Sequence, residues 1–159
     1  MLLEYYMIRE GKPPVRSNPS DAGLDVFFNP FDNGGVVHGV PDDIIIYPGA
    51  NEKIGTGLKF GIPHGYMLQV MNRSSMAAKK SLVVGAHCID SGYDGEVFID
   101  LHNVGTEPQW VKPGDKIAQL VMIPVVHFRA VRSPHEDVYS WAPITISSRG
   151  EGGFGSTGA

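Results

Sequence analysis

An all-β fold built as one domain is what this sequence predicts, and three observations carry the prediction. Twenty glycines and twelve prolines are spread along the 159 residues, so turn chemistry cuts the chain into short segments. A hydrophobic content of 42% is enough for a single core at this length. Between the turns, β-branched and aromatic residues dominate, which suits a pleated, half-buried surface.

Residues 24–28, 44–47, 54–60, 66–71, 95–103 and 116–128 are each bounded by Gly, Pro, Asn or Asp and read as strands. In 96–103, Val97, Ile99 and Leu101 fall on one face and Glu96, Asp100 and His102 on the other, as in a strand with one buried side. One short helix is predicted over Ser74–Lys80, capped by Ser74 or Ser75, with Lys79 and Lys80 suited to its last turn. Residues 29–43 have turn chemistry and no sustained period, and are expected to form a surface excursion. Residues 1–146 therefore form the β-rich core, and 147–159 a Gly-rich tail that cannot bury a core of its own and is expected to be mobile when alone.

The formal net charge is -4 with no block of like charges, which offers no footprint for a nucleic-acid backbone or an anionic membrane. Cys88 is the one cysteine, so an intramolecular disulfide framework and a clustered thiolate metal site are both excluded. The N-terminus has no basic region followed by an apolar stretch, and no apolar run approaches the ~20 residues that span a bilayer. A soluble, intracellular protein is expected.

Five segments carry residues suited to chemistry. Asp21-Ala22-Gly23-Leu24-Asp25 sets two carboxylates around a small-residue turn, able to orient a hydrated magnesium ion or simply to bond local backbone. Asn72-Arg73-Ser74-Ser75 brings a cation, hydroxyls and free N–H groups together before the helix, where phosphate binds well, although such residues often only cap. The run from Gly85 to Glu96 has tight-turn pairs at Ser91-Gly92 and Asp94-Gly95, and reads as a hairpin holding Asp90 near Tyr93. An aspartate there can take a proton from water, and a tyrosine ring can pack on a sugar closely enough to exclude a hydroxyl; an ordinary Asp turn with a half-buried Tyr is the plainer reading.

Gln119, after the Gly114-Asp115 turn, is a lone amide among apolar neighbours, suited to phosphate, to water or to a structural bond. In the tail, Gly152, Gly153, Gly155 and Gly158 let backbone N–H groups approach closely, while Ser156 and Thr157 add hydroxyls. Arg149 supplies a fork of donors for a terminal phosphate, and Phe154 can lie flat on a base. On composition alone this tail is equally a flexible linker end.

In this order and with these separations, the five segments resemble the five motifs of the trimeric dUTPase family, across residues 21–158. The resemblance implies a jelly-roll-like fold, a homotrimer with a flexible C-terminal arm, and active sites built from three chains. It implies hydrolysis of dUTP to dUMP and pyrophosphate with Mg²⁺. Asp90 would activate the attacking water, Tyr93 would select deoxyribose, and Asp25 would order the magnesium hydration shell through water. Arg73, Ser74, Ser75 and Gln119 would contact phosphate. Backbone groups at Ala86, His87, Cys88 and Ile89 would read uracil. Arg149, Gly155, Ser156 and Thr157 would hold the γ-phosphate, with Phe154 stacked on the base.

Two alternatives stand beside this. Ala86-His87 followed by Ile89-Asp90 also resembles dCTP deaminases of the same fold, or a bifunctional relative, although those carry an arginine where this chain has Cys88 and a glutamate where it has Asp100. A trimer acting as a regulatory binding protein, with residues 29–43 as the surface for a protein partner, is the non-enzymatic reading.

Overall fold

The computed structural model describes residues 1–30, 43–136 and 138. The chain divides into two units, Met1–His127 and Phe128–Ala159. The described residues of the second unit, 128–136 and 138, carry no helix or strand. Residues 147–159 and most of the 29–43 segment, 31–42, lie outside the described residues.

Among the described residues the first unit has eleven strands and one helix. In chain order these are β1 (Glu4–Met7), β2 (Leu24–Phe27), β3 (Ile44–Ile46), β4 (Asn51–Gly55), β5 (Leu58–Gly61), β6 (Tyr66–Met71), α1 (Ser74–Lys80), β7 (Leu82–Val84), β8 (Cys88–Asp90), β9 (Phe98–Asn103), β10 (Gln109–Val111) and β11 (Lys116–Pro124). They pair antiparallel into a four-stranded sheet in the order β2-β11-β6-β8, a three-stranded sheet β4-β9-β7, and the two-stranded ribbons β1-β5 and β3-β10. None of the described helices is long and apolar enough to cross a membrane.

All six expected strand segments contain strands, but several bounds move for physical reasons. The 54–60 segment is broken at Gly57, whose φ of 68° is left-handed and cannot continue a ladder. The 116–128 segment stops at Pro124, and 95–103 begins its pairing only at Phe98. β1, β7, β8 and β10 are three or four residues long, too short to show a period, and were not foreseen. Asn29, at the edge of the expected surface excursion, is buried instead. Its amide bridges Lys12 and Thr56 carbonyls at 2.9 and 2.8 Å.

Helix α1 spans the expected residues, with Lys79 and Lys80 in its last turn and Met76 buried. The serine cap does not form. Arg73 takes the N-cap position in extended backbone (φ -87°, ψ 132°) with no side-chain cap bond, because the helix begins one residue earlier than a Ser74 cap requires. Freed from capping, the Arg73 side chain turns to β2.

The core gathers Val26, Ile46, Ile54, Leu58, Ile99, Leu101, Val111 and Ile117, all fully buried. The alternation read along 96–103 holds from Val97 onward: Val97, Ile99 and Leu101 are buried, while Asp100 and His102 lie on the other face, joined at 3.0 Å; Glu96, expected outward with them, is instead buried by side chain against Arg9. Leu101 lies in β9, the middle strand of its sheet, so nothing nearby can collapse freely into a void. Leu101→Ala is expected to lower stability by about 2–5 kcal/mol, read as a shift in the urea midpoint. A loss below about 1 kcal/mol would remove Leu101 from the centre of the core.

Candidate active site

The first cluster of sequence-predicted residues is assembled by β2, β11 and the turn before α1. A cleft of about 290 Å³ is lined by Ser17, Asp21, Ala22, Gly23, Asp25, Arg73, Ser74 and Gln119. Three of the five segments meet here, from positions nearly a hundred residues apart. Asp25 is largely buried and held between two cations, Arg73 Nε donating to Oδ1 at 2.9 Å and Lys116 Nζ to Oδ2 at 2.8 Å. Because Arg73 spends Nε on Asp25, the far end of its guanidinium stays available to an anion in the cleft, with one weak contact to Ser75 Oγ at 3.4 Å.

A β-bulge decides which side chains of β11 reach this cleft. The register to β2 slips between Lys116 and Ala118, with Lys116 opposite Phe27 and Ala118 opposite Val26. Ile117 and Ala118 are consequently both fully buried, and Lys116 and Gln119 both emerge beside Asp25. Gln119 is not apolar-embedded. Its Nε2 donates to the Asn72 carbonyl at 2.9 Å, and its amide oxygen packs where Gly23 would carry a Cβ. Asn72 in turn accepts from the Val84 N–H at 2.7 Å, tying the arginine turn to β7.

Of the two motif carboxylates, Asp21 follows the plain reading. It accepts from the Asn18 N–H at 2.8 Å and closes its own turn. Asp25 does not. The described residues hold no group of three His, Cys, Asp or Glu side chains placed to grip a metal ion. One carboxylate already flanked by cations cannot by itself grip a metal ion, and at most touches a hydrated ion through water.

The second cluster lies on β8 and the turn after it. A pocket of about 220 Å³ is lined by Cys88, Ile89, Asp90, Tyr93, Glu96, Val97 and Phe98. Cys88 and Asp90 share a strand face, two residues apart, while Ile89 points inward against the core. The Cys88 thiol sits 3.4 Å from Asp90 Oδ1; that hydrogen bond, with partial desolvation and the carboxylate's charge, pushes the thiol pKa up. Cys88 is thus a neutral donor to Asp90 and a poor nucleophile.

Asp90 and Tyr93 are brought together as expected, the Tyr93 N–H donating to the Asp90 carbonyl at 3.2 Å around Gly92, whose φ is 91°, but the expected hairpin does not form, since β8 pairs with β6 and the next strand, β9, pairs with β4 and β7 in another sheet. Ala86 and His87 do not line the pocket; the His87 ring is fastened to the Val70 carbonyl at 3.0 Å. Asp100 is also absent from it. Burial opposes its ionisation, but bonds from Asn51 and His102 and the nearby Lys53 outweigh this and hold its carboxyl below the usual range. Arg149, Phe154, Gly155, Ser156 and Thr157 lie outside the described residues.

Sequence reasoning missed Lys116, Glu96 and Phe98. Phe98 had a signal, an aromatic ring on the polar face of the 96–103 alternation. Lys116 and Glu96 had none, since their partners are distant in sequence.

The two clusters share no lining residue. Along β6, Asp90 pairs with Met67 while Gln119 pairs with Met71. That places the clusters roughly 13 Å apart along the strand and about 10 Å across it.

Fold and clefts together define an all-β protein that presents a polar cleft bearing an arginine and, separately, a pocket walled by aromatic rings and two carboxylates. The family model for dUTPase matches residues 9–158, and the chain belongs to the dUTPase family. It is 37% identical to the deoxyuridine 5'-triphosphate nucleotidohydrolase of Anaplasma marginale (strain St. Maries) over 147 residues, 91% of this chain and 88% of that protein. Identity to the enzyme of the same name from Gloeobacter violaceus is also 37%, with the same coverage. Among solved structures, the Staphylococcus bacteriophage 80alpha dUTPase with dUpNHpp superposes with a TM-score of 0.75 at 24% identity, covering 99% of each chain. A variant of the dUTPase from phage phi11 of S. aureus, described as coordinating a structural Mg(II) ion, gives 0.71 at 22% identity, covering 86% of this chain and 99% of that one. The fold is accordingly all-β and of the jelly-roll type expected from the sequence.

Proposed function

We propose that this chain is a dUTP diphosphatase, releasing dUMP and pyrophosphate, and that it works as a homotrimer with each site assembled between chains. The observation that carries the reading is the convergence of Asp25, Arg73, Ser74 and Gln119 in one cleft, in a chain whose family model spans the same segments. The separation between that cleft and the Asp90–Tyr93 pocket supports sharing between chains, since a base and the phosphate it serves must lie within hydrogen-bond reach of one water.

Asp90 takes the proton of the attacking water at its carboxylate, with the Cys88 thiol bonded to the same group and holding its orientation. The Arg73 guanidinium, kept in place through its Nε bond to Asp25, binds phosphate oxygens, with Ser74, Ser75 and Gln119 beside it. Backbone groups of residues 86–89 read uracil, and Tyr93 packs on the deoxyribose. Arg149, Gly155, Ser156 and Thr157 of a neighbouring chain close over the γ-phosphate, and Phe154 stacks on the base. Lys116 holds the other oxygen of Asp25 at 2.8 Å and so fixes the carboxylate that orients Arg73. A magnesium ion carried by the triphosphate and hydrogen-bonded through water to Asp25 would neutralise charge on the phosphate oxygens.

Pyrophosphate release from dUTP, dCTP, dTTP and UTP, with Mg²⁺ and then with EDTA, tests the reading directly. Cleavage of dUTP far faster than of the other three and abolished by EDTA is expected, with no dCTP deaminated. Silence on all four nucleotides would overturn the enzymatic reading, and deamination of dCTP would favour the deaminase.

A further inference from the structure

We propose that Glu96, locked by Arg9, is a positioning residue for Tyr93, and that this pair sets how strongly the pocket rejects a 2'-hydroxyl; the inference rests on the dUTP reading above. The tyrosine ring is half exposed, yet it is held at both ends. Its backbone N–H donates to Asp90, and its phenol donates to the Glu96 carbonyl at 2.8 Å. Between these anchors the phenol end of the ring sits against Gly95, where a Cβ would stand 2.4 Å from the hydroxyl oxygen and 2.5 Å from Cζ. Ring position is therefore a function of where the residue 96 carbonyl sits.

Residue 96 lies outside any strand, since pairing of β9 begins at Phe98. The peptide that follows is fastened on one side, its Val97 N–H donating to the Leu58 carbonyl at 2.9 Å, and the Glu96 side chain anchors the residue on the other. The Glu96 carboxylate receives both Nη groups of Arg9, one of them at 2.9 Å, and also the Gly57 N–H at 2.9 Å. The two side chains are only 7% and 8% exposed. Arg9 Nε donates to the Asn29 carbonyl at 2.9 Å, which fixes the guanidinium plane. A buried ion pair is weak evidence for stability, because desolvation offsets its attraction. Its place behind the pocket gives it geometric value, since both Glu96 and Tyr93 line the same cavity. Excluding one oxygen atom from a sugar face is a matter of about 1 Å, the scale on which misplacement is felt 10²-fold.

The test compares kcat/KM for dUTP, UTP and dCTP in the wild type, Glu96→Gln and Gly95→Ala. Glu96→Gln keeps the shape and an acceptor for Gly57 but removes the charge that locks Arg9. Gly95→Ala leaves the ion pair whole and pushes the ring off its seat. In both variants the dUTP-to-UTP ratio is expected to fall about 10-fold or more, while the dUTP-to-dCTP ratio stays constant. A merely structural role would lower all three substrates alike, and unchanged ratios in both variants would overturn the inference while leaving the dUTP reading intact. Should Glu96→Gln fail to fold, Arg9→Lys, which keeps the charge but loses the two-pronged grip on Glu96 and the Nε bond to Asn29, takes its place with the same fall expected. A wild type without preference for dUTP over UTP would overturn the inference at its root, and one that cleaves no nucleotide would overturn the dUTP reading with it.

Discussion

Asp90→Asn is expected to lower kcat for dUTP by about 10²- to 10⁴-fold with KM little changed, the range found when a positioned general base is removed. The substitution keeps volume and one carbonyl oxygen, so the Cys88 thiol retains an acceptor and the turn to Tyr93, which uses the Asp90 backbone carbonyl, is untouched. What disappears is the capacity to take a proton. The loss corresponds to about 3–5 kcal/mol on the barrier, with folding stability close to the wild type because Asp90 is exposed and bears no buried ion pair. Steady-state kinetics together with a thermal melt read both quantities. Turnover within a few-fold of the wild type, at an unchanged melting point and oligomeric state, would remove Asp90 from the role of base.

Mixing two inactive variants should restore activity. Arg73→Gln removes the guanidinium from the polar cleft, and Asp90→Asn removes the base from the pocket, so each variant alone is expected to lose about 10²-fold or more of its turnover. If cleft and pocket of one site come from different chains, co-production of the two variants in equal amounts places an intact cleft against an intact pocket in about a quarter of the sites. Activity should then rise to that fraction of the wild-type value, far above either parent. If cleft and pocket served one another within a chain, every site would carry one lesion and no recovery would occur. The distances favour recovery, because the two clusters sit at different positions along β6 and on opposite sides of it.

Much of this protein was legible in its sequence because the deciding signals are local. Strand-forming residues between Gly and Pro turns, the buried face of Val97, Ile99 and Leu101, and the bounds of α1 all follow from periods and propensities within a few residues. The Asp90–Tyr93 turn was legible for the same reason, as Ser91-Gly92 specifies it in place. What local pattern left undecided were the short strands β1, β7, β8 and β10, which hold only through their partners, and the serine cap, which lost to a helix starting one residue earlier.

Tertiary structure alone decided three further things, each a contact between residues distant in sequence. The slip of register at Lys116 turned a lysine and a glutamine to the same side as Asp25, where strict alternation would have sent them to opposite faces. Folding of the N-terminal segment beside the residue 96 turn paired Arg9 with Glu96 across 87 positions and so seated the tyrosine. The spacing of strands along β6 kept cleft and pocket apart on one chain. Composition and periodicity specify which face of a segment is buried; which distant segment lies against that face depends on sheet register and packing over the whole core, and no window of sequence contains it.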